Sequence, residues 1–247
     1  MTNSQAGSSI DLSAWAASTP RNTRIYAVGD VHGRADLLAE MTERIDDDCF
    51  RRPVQHAIEV YLGDYIDRGV ASKDVIDILC RRLVRRNAIC LRGNHEALLE
   101  RFIIDPTMVY DWARLGGLET LNSYGVAFDA DQSSLDTLHG EFCSAFPRTH
   151  TLFLRCLKNM YRCGNYLFVH AGIRPGVPLA AQTQEDLTWI RDEFLTSTVN
   201  HGYVVVHGHT PVMHPEIHKN RINIDTGAFY SGTLTCVVLE DTSIQFL

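Results

Sequence analysis

The 247-residue sequence lacks an apolar run of the roughly 18 residues that a membrane helix needs. Its N-terminus also lacks a basic start followed by an apolar stretch, which is the pattern of a secretory signal peptide. These two absences argue against a membrane partner. They predict a protein that stays in the cytoplasm.

Paired cysteines and excess positive charge are missing as well. The seven cysteines form no C-x-x-C pair and are odd in number, which in the absence of an export signal predicts reduced thiols. Twenty-three Lys and Arg face 30 Asp and Glu, for a formal net charge of −7. A nucleic-acid-binding protein typically shows a basic face. The charge therefore speaks against a nucleic-acid partner.

Strands and helices alternate early in the chain. Short apolar runs at 24–28, 57–62 and 88–91 predict strands, and the apolar spacing around Leu38 and Leu79 predicts helices between them. This β-α-β-α-β order is typical of parallel strands with helices packed on the sheet. Ligands bind beyond the carboxyl ends of such strands, and each run here ends in a polar motif.

The rest of the chain completes an α/β domain. Residues 97–161 have helical periodicity broken by Pro and Gly, which predicts a helical insertion bordering the site. Further strands are predicted at 166–170, 203–207, 221–225 and 234–239. The order fits a two-sheet sandwich flanked by helices. We expect one domain over 24–247 after a flexible N-terminal arm over 1–23.

Five glycine-containing motifs follow or end the apolar runs. They are G-D-V-H-G at 29–33, G-D-Y-I-D-R-G at 63–69, G-N-H-E at 93–96, V-H-A-G at 169–172 and G-H-T at 208–210. Together they supply Asp, His, Asn and Arg. Those are the residue types needed to hold two divalent cations and to receive a phosphate.

The motifs provide two sets of metal ligands. Asp30 and His32, spaced by two, reach one point from an extended backbone, and Asp64 joins them at a first cation. A carboxylate has two oxygens, so Asp64 also serves the second cation. The second set is Asp64, Asn94, His170 and His209. Mixed oxygen and imidazole ligands suit Mn, Fe, Zn or Co better than Ca or Mg.

Four further residues carry the predicted chemistry. Two cations roughly 3.5–4 Å apart clamp a phosphate and activate a bridging water for in-line attack. His95 is placed to protonate the leaving group, and Asp67 to orient its ring. Arg68 and Arg191 offer planar forks for the phosphate oxygens.

These motifs resemble those of the PPP-type metallophosphatases, which share the calcineurin-like phosphoesterase fold. Within them the chain is similar to the bacterial and lambda-like serine/threonine protein phosphatases, in motif order, spacing and identity from about Arg24 onward. T-W-I-R-D-E-F at 188–194 looks like the family's W-x-R segment, which puts Arg191 in its phosphate-binding position. The resemblance implies a four-layer αββα sandwich and a dinuclear site, often Mn-dependent.

The main prediction is a protein serine/threonine phosphatase with a phosphoprotein substrate. A hydroxide bridging the two metals, with Mn favoured, would attack the phosphate ester directly. Nothing in the chain marks a covalent nucleophile, since no cysteine begins a phosphate-cradling C-x₅-R loop. Asp67 before Arg68 and Glu96 after His95 favour this branch of the family.

Two alternatives stay open, namely a hydrolase of diadenosine tetraphosphate or another nucleotide, and a binding module without activity. A sister branch that hydrolyses diadenosine tetraphosphate symmetrically looks similar in G-D-V-H-G, H-A-G-I and the late G-T-L-T-C at 232–236. A nucleotide substrate needs an aromatic pocket, for which Phe102, Tyr110 and Trp112 are candidates. The third interpretation is a non-catalytic binding module, which the intact metal-ligand set and His95 oppose.

Overall fold

The computed structural model describes residues 17–128 and 134–247. Their strands are β1 (Thr23–Val28), β2 (His56–Tyr61), β3 (Ala88–Cys90), β4 (Met160–Cys163), β5 (Tyr166–Val169), β6 (Val204–His207), β7 (Glu216–Ile217), β8 (Arg221–Asn223), β9 (Cys236–Glu240) and β10 (Ser243–Phe246). Their α-helices are α1 (Ala35–Arg51), α2 (Ser72–Arg85), α3 (Asn94–Ile104), α4 (Val109–Ala113), α5 (Gly117–Ser123), α6 (Leu135–Ala145), α7 (Arg148–Cys156), α8 (Gln184–Trp189), α9 (Asp192–Leu195) and α10 (Ala228–Ser231). Two 3₁₀ turns lie at Pro106–Met108 and Leu179–Ala181.

The strands form two mixed sheets of five strands each. The first has the order β10-β9-β1-β2-β3 and the second β4-β5-β6-β8-β7. In each sheet three neighbouring strands are parallel, namely β1, β2 and β3 in the first and β5, β6 and β8 in the second. The remaining strands β9, β10, β4 and β7 pair antiparallel with their neighbours.

Alternation along β1 shows how the layers form. Ile25 and Ala27 belong to the apolar cluster between the two sheets, whereas Tyr26 and Val28 belong to the cluster under the helices. Successive side chains of a strand point to opposite faces, so β1 is covered on both sides. The helices α8 and α9 cover the outer face of the second sheet through Leu187 and Phe194. The predicted αββα sandwich is confirmed.

The strands that the sequence analysis missed all lie at sheet edges. They are β4, β7 and β10. Edge strands are buried on fewer sides, so they need no continuous apolar run, and β7 has only two residues. Helices of the predicted insertion extend from Asn94 to Cys156, not over the whole of 97–161. Residues 160–161 belong instead to β4, because they pair with Phe168 and Val169 of β5.

Most of the predicted N-terminal arm, residues 1–16, lies outside the described residues. Residues 17–23, the rest of the predicted arm, are held against the domain by backbone hydrogen bonds. Thr19 is buried and donates its backbone N–H to Asp241 O at 2.9 Å, and Ser18 O accepts from Asn165 N at 3.0 Å. Across the described part of the chain, no helix has the length and apolarity to cross a bilayer.

Candidate metal and active centre

The predicted site residues meet where parallel strands of both sheets end. Asp30 and His32 follow β1, Asp64 follows β2, and Asn94 and His95 open α3 just after β3. His170 follows β5 and His209 follows β6. The carboxyl ends of parallel strands lie at one edge of a sheet, so the loops of both sheets converge there. All seven side chains are buried, the most exposed being His209 at 5%.

The backbone at this edge adopts an uncommon conformation. His32, Asp64, Asp67, Arg68 and His209 all have φ between +45° and +72°. Residues with a Cβ rarely adopt this left-handed region, and such strain is concentrated at functional sites, where the surrounding structure maintains it. The loops therefore aim side chains that a relaxed turn would direct elsewhere.

Two glycines let motifs from different strands touch. A Cβ on Gly93 would collide with the carboxylate and backbone of Asp64, and a Cβ on Gly208 would collide with Asp30 Oδ1. Each glycine thus makes room for a carboxylate from another motif. This close approach explains why glycine precedes Asn94 and His209.

Asp64 lies between two groups of candidate ligands. Its Oδ2 is 3.5 Å from His32 Nε2 and 3.8 Å from His95 Nε2, whereas its Oδ1 is 3.3 Å from His170 Nε2. The candidate ligand atoms of His32, Asp64 and His95 lie within 4.8 Å of one another, and so do those of Asp64, His170 and His209. One carboxylate thus faces two places where a cation fits.

The second group also includes the predicted amide ligand. His170 Nε2 is 3.0 Å from Asn94 Oδ1 and 3.2 Å from His209 Nδ1. His170 Nδ1 lies 3.1 Å from the Leu62 carbonyl and must donate to it, because a carbonyl only accepts. In the neutral ring, Nε2 then presents a lone pair toward the other acceptors. A cation satisfies such a set of acceptors.

His32 is oriented in the same way. Its Nδ1 lies 2.9 Å from the Ile66 carbonyl and donates to it, so Nε2 of the neutral ring presents a lone pair toward Asp64. Histidine ligands of metals commonly donate their second ring nitrogen to such an acceptor. The site therefore contains the outer hydrogen bonds of a metal centre as well as its candidate ligands.

Asp30 stands slightly apart from both groups. Its Oδ2 accepts from His209 N at 3.0 Å, while its buried Oδ1 has no hydrogen-bond partner among the described residues. Asp30 is predicted to join His32 and Asp64, whereas the group whose candidate ligand atoms lie within 4.8 Å of one another has His95 in the place of Asp30. The free Oδ1 still fits a cation ligand, because a buried unpaired carboxylate oxygen is costly.

Charge is crowded at the site. Burial and the carboxylates of Asp225 and Asp64 raise the pKa of Asp30 well above its usual range. Burial, together with Asp64, raises the pKa of Asp225 to about 6. Bound cations would relieve this repulsion. Asp225 follows β8 at the same edge, and the sequence left two roles open for it, as a partner of a metal-binding histidine or as a turn carboxylate.

The histidines differ in their charge state. Burial lowers the pKa of His32 to about 3 and, with the positive charge of His170, that of His209 to about 2, which leaves both rings neutral and able to ligate. Burial also disfavours charge on His170, but Asp64 and Asp30 outweigh it and raise the pKa to about 9. A proton and a cation therefore compete for His170 Nε2.

His95 is paired with Asp67 as predicted. Its Nδ1 donates to Asp67 Oδ2 at 2.6 Å, and both side chains are buried. Burial opposes charge on His95, but Asp64 and the hydrogen bond to Asp67 outweigh it and raise the pKa. A histidine with a raised pKa keeps a proton that it can give to a leaving group.

Two residues of the helical region hold Asp67 in place. Trp112 Nε1 on α4 donates to Asp67 Oδ2 at 2.7 Å, and Thr120 Oγ1 on α5 donates to Oδ1 at 2.6 Å. The sequence motifs do not identify either residue in this role, since Trp112 was a candidate for a nucleotide pocket and Thr120 lies in no motif. They are 45 and 53 residues from Asp67, so no local pattern could have identified them.

Glu96 joins the loops after β2 and β3. Its carboxylate accepts backbone N–H groups of Asp64, Tyr65 and Gly93 at 2.8–3.0 Å. Burial and the nearby Asp64 raise its pKa to about 7. Glu96 therefore has a positioning role, because it sets the backbone from which the Asp64 side chain projects.

The two predicted phosphate-binding arginines occupy different surroundings. Arg68 is half-buried, with Nη2 3.4 Å from His95 Nε2 and its guanidinium carbon 4.9 Å from the Phe229 ring centroid. Arg191 is exposed at the start of α9, where its charge contributes to lowering the pKa of His209. Both lie beside the metal-ligand groups, but Arg68 is held more firmly.

The prediction of an aromatic nucleotide pocket is wrong for two of its three residues. Phe102 and Trp112 are fully buried in the core, and Tyr110, 48% exposed, packs edge-on against Phe128. Other aromatic residues lie at the site instead. The Phe229 ring is 5.5 Å from that of His32, and the Trp189 ring is 5.8 Å from that of His209.

The chain matches one family model over most of its length and has full-length relatives among known proteins. The model of the family described as calcineurin-like phosphoesterase matches residues 23–222. A bis(5′-nucleosyl)-tetraphosphatase PrpE, named asymmetrical, from Halalkalibacterium halodurans is 26% identical over 239 residues, covering 89% of this chain and 91% of that protein. Its namesake from Oceanobacillus iheyensis is 27% identical, covering 86% and 87%.

Solved structures agree on the fold. A crystal structure described as a proposed diadenosine tetraphosphatase has a TM-score of 0.61 at 19% identity, covering 93% of this chain and 98% of that one. A metallophosphoesterase from Sphaerobacter thermophilus has a TM-score of 0.53 at 15% identity, covering 92% and 87%. At these identities the likeness concerns the architecture alone.

Proposed function

We propose that this chain, which belongs to the calcineurin-like phosphoesterase family, hydrolyses dinucleoside tetraphosphates at a centre of two divalent cations. The observation that carries the reaction class is the position of Asp64, whose two oxygens face separate groups of buried histidines. The substrate class rests on the full-length similarity to proteins named bis(5′-nucleosyl)-tetraphosphatases.

His32, Asp64 and Asp30 would hold one cation, and Asp64, Asn94, His170 and His209 the other. Bound divalent cations would supply Lewis acidity at the phosphate and an activated water for in-line attack. The chemistry of the ligands favours Mn, Fe, Zn or Co, with Mn as the first choice for loading.

The remaining residues bind and protonate. Arg68 and Arg191 would bind phosphate oxygens through their guanidinium groups. Attack on phosphorus breaks a P–O–P bond, and the departing phosphate oxygen takes a proton. His95 would donate that proton from Nε2, while Asp67 keeps the ring oriented and stabilises its positive form.

The protein serine/threonine phosphatase predicted from the motifs receives less support than its nucleotide alternative. The relatives that match most of the chain are named as nucleoside tetraphosphatases, so that branch of the family is not confirmed. Those relatives are also named asymmetrical, whereas the expected alternative was symmetrical cleavage. We therefore propose ATP and AMP, not two ADP, as the products from diadenosine tetraphosphate.

A parallel assay tests the proposal. Mn²⁺-loaded protein is given diadenosine tetraphosphate and a phosphothreonine peptide, with metal-free protein and His95→Asn as controls against a contaminating phosphatase. We expect faster turnover of the dinucleotide, with ATP and AMP resolved by ion-exchange chromatography. Two ADP would support symmetrical cleavage. Preferential release of phosphate from the peptide would contradict the proposal and restore the phosphoprotein substrate.

A further inference from the structure

Two aromatic residues beside the metal centre have no part in the chemistry described above. Phe229 and Tyr230 lie on α10, a single turn between β8 and β9. Phe229 is half-buried, and Tyr230 is 62% exposed. Two adjacent aromatic rings beside a polar site offer a surface on which a planar ligand can pack.

The two rings form a row that leads away from the candidate ligands. The Phe229 ring meets the His32 ring edge-on at 5.5 Å, and the Tyr230 ring meets the Phe229 ring edge-on at 4.9 Å. The Arg68 guanidinium carbon lies 4.9 Å from the Phe229 centroid. Moving outward, a ligand would therefore meet the metal site, then Arg68 over Phe229, then the open ring of Tyr230.

The backbone holds this row in place. Gly227, at φ +65°, leaves the space that the Tyr230 ring fills, because a Cβ there would collide with the ring. Asp225 Oδ1 accepts from Gly227 N at 2.9 Å, and Arg34 Nη1 donates to Ala228 O at 3.0 Å. Tyr230 is thus seated against backbone yet largely exposed to solvent. A ring held in this way loses little entropy when a ligand stacks on it.

We propose that Tyr230 stacks on a nucleobase of a nucleotide whose phosphates bind at the metal centre and Arg68. This inference rests on the proposed function and names the part of the substrate that the residue recognises. The spatial order of the site matches the order of phosphate, sugar and base in a nucleotide. Stacking tolerates different bases, since every base has a π face.

Tyr230 suits this role better than the other aromatic residues near the site. Trp189 is 36% exposed and its ring packs edge-on against His209, a candidate ligand, so it supports the metal site directly. Phe229 makes the same kind of contact with His32 and also carries Arg68. Tyr230 contacts Phe229 and leaves room for a planar ligand.

The first experiment compares steady-state kinetics with and without a base. Wild type, Tyr230→Ala, Tyr230→Phe and Phe50→Ala are assayed with diadenosine tetraphosphate and with inorganic tetraphosphate. We expect Tyr230→Ala to raise KM for the dinucleotide about 5- to 150-fold, as loss of one stacked base does, with kcat and the inorganic substrate unaffected. Tyr230→Phe should retain wild-type values, and so should the control Phe50→Ala, which removes an exposed aromatic ring near the end of α1.

Calorimetry on the Mn²⁺-loaded proteins separates this inference from the proposed function. AMP should bind wild type more tightly than inorganic phosphate does, and Tyr230→Ala should abolish that difference. This binding test applies even if the dinucleotide is not hydrolysed. Equal affinities of wild type for AMP and phosphate, or an unchanged AMP affinity in Tyr230→Ala, would overturn the stacking role. So would an equal KM change for both tetraphosphates.

Discussion

The two sheets contribute to the site in different ways. The first-sheet half consists of Asp30, His32, Asp64, Asn94 and His95, and the second-sheet half consists of His170, His209 and Asp225. In the first-sheet half, Glu96 binds three backbone N–H groups, and Trp112 and Thr120 hold Asp67. In the second-sheet half, His209 Nε2 has no hydrogen-bond partner among the described residues.

This difference shows how much of the geometry the protein imposes by itself. The first-sheet half is pre-organised by buried hydrogen bonds, which fix the dyad of His95 and Asp67 before any ligand binds. In the second-sheet half, His170 Nδ1 donates to the Leu62 carbonyl, but His209 Nε2 has no partner among the described residues and is free to bind a cation. Substitution of His95, or of a residue that holds Asp67, should therefore reduce catalysis without loss of metal, whereas substitution of the shared ligand Asp64 should remove metal and activity together.

The largest effect is expected from Asp64→Asn, because this residue is shared by the two groups of ligands. Loss of its charge should remove metal and activity together, down to the level of metal-free protein. Metal content by mass spectrometry and hydrolysis rate are measured on the same sample. Asp111→Asn, at an exposed surface ion pair, is the matched control. Unchanged metal content and rate would refute the shared role.

His95→Asn should act on the first-sheet half alone. We expect turnover to fall by about 10²–10⁴-fold, the usual contribution of a general acid, with metal content unchanged. Single-turnover rates and metal content are measured together. Loss of one cation would instead make His95 a ligand, consistent with its place beside His32 and Asp64. A retained rate would remove it from the mechanism.

Thr120→Val tests whether positioning of Asp67 matters. It removes a hydroxyl that donates to a buried carboxylate, which should lower the free energy of unfolding by about 1.5–3 kcal/mol. Turnover should fall about 10-fold while KM stays constant, since an outer hydrogen bond is lost. Urea unfolding and kcat are the measurements.

The control for Thr120→Val is Thr107→Val. Thr107 makes an exposed hydrogen bond to Asp105 at 2.7 Å, and its loss should cost less than about 0.5 kcal/mol. Equal destabilisation by both substitutions, or an unchanged kcat in Thr120→Val, would argue that Asp67 needs no such support.

Arg191→Ala should have the smallest effect. The Arg191 side chain is exposed, and such charges contribute little, so the inhibition constant of inorganic phosphate should rise about two- to fivefold. Arg68→Ala should raise it more, because Arg68 is half-buried beside His95. Equal effects of the two substitutions on this inhibition constant, measured by product inhibition, would contradict the larger contribution expected of Arg68.

The central strands and helices could be predicted, because they carry strong apolar periodicity. Leu38 and Leu79 lie in the observed helices α1 and α2, and each central parallel strand overlaps its predicted run. The edge strands β4, β7 and β10 were missed, since pairing with a neighbour and not apolar burial maintains them. The nucleotide pocket was misplaced because exposure of Phe102 or Trp112 cannot be read from residue type.

The sequence by itself determined which chemical groups follow each strand, because the motifs are local and a strand end places its next residues near the sheet edge. The order of strands and helices also indicated a two-sheet sandwich flanked by helices, and the resemblance to the metallophosphatases implied its αββα layers. Only the tertiary structure decided which of these polar atoms lie close enough together to bind the same cation. His170 and Asn94 are 76 residues apart, yet their polar atoms lie 3.0 Å from each other. Such convergence depends on how the two sheets pack, and no local pattern encodes it.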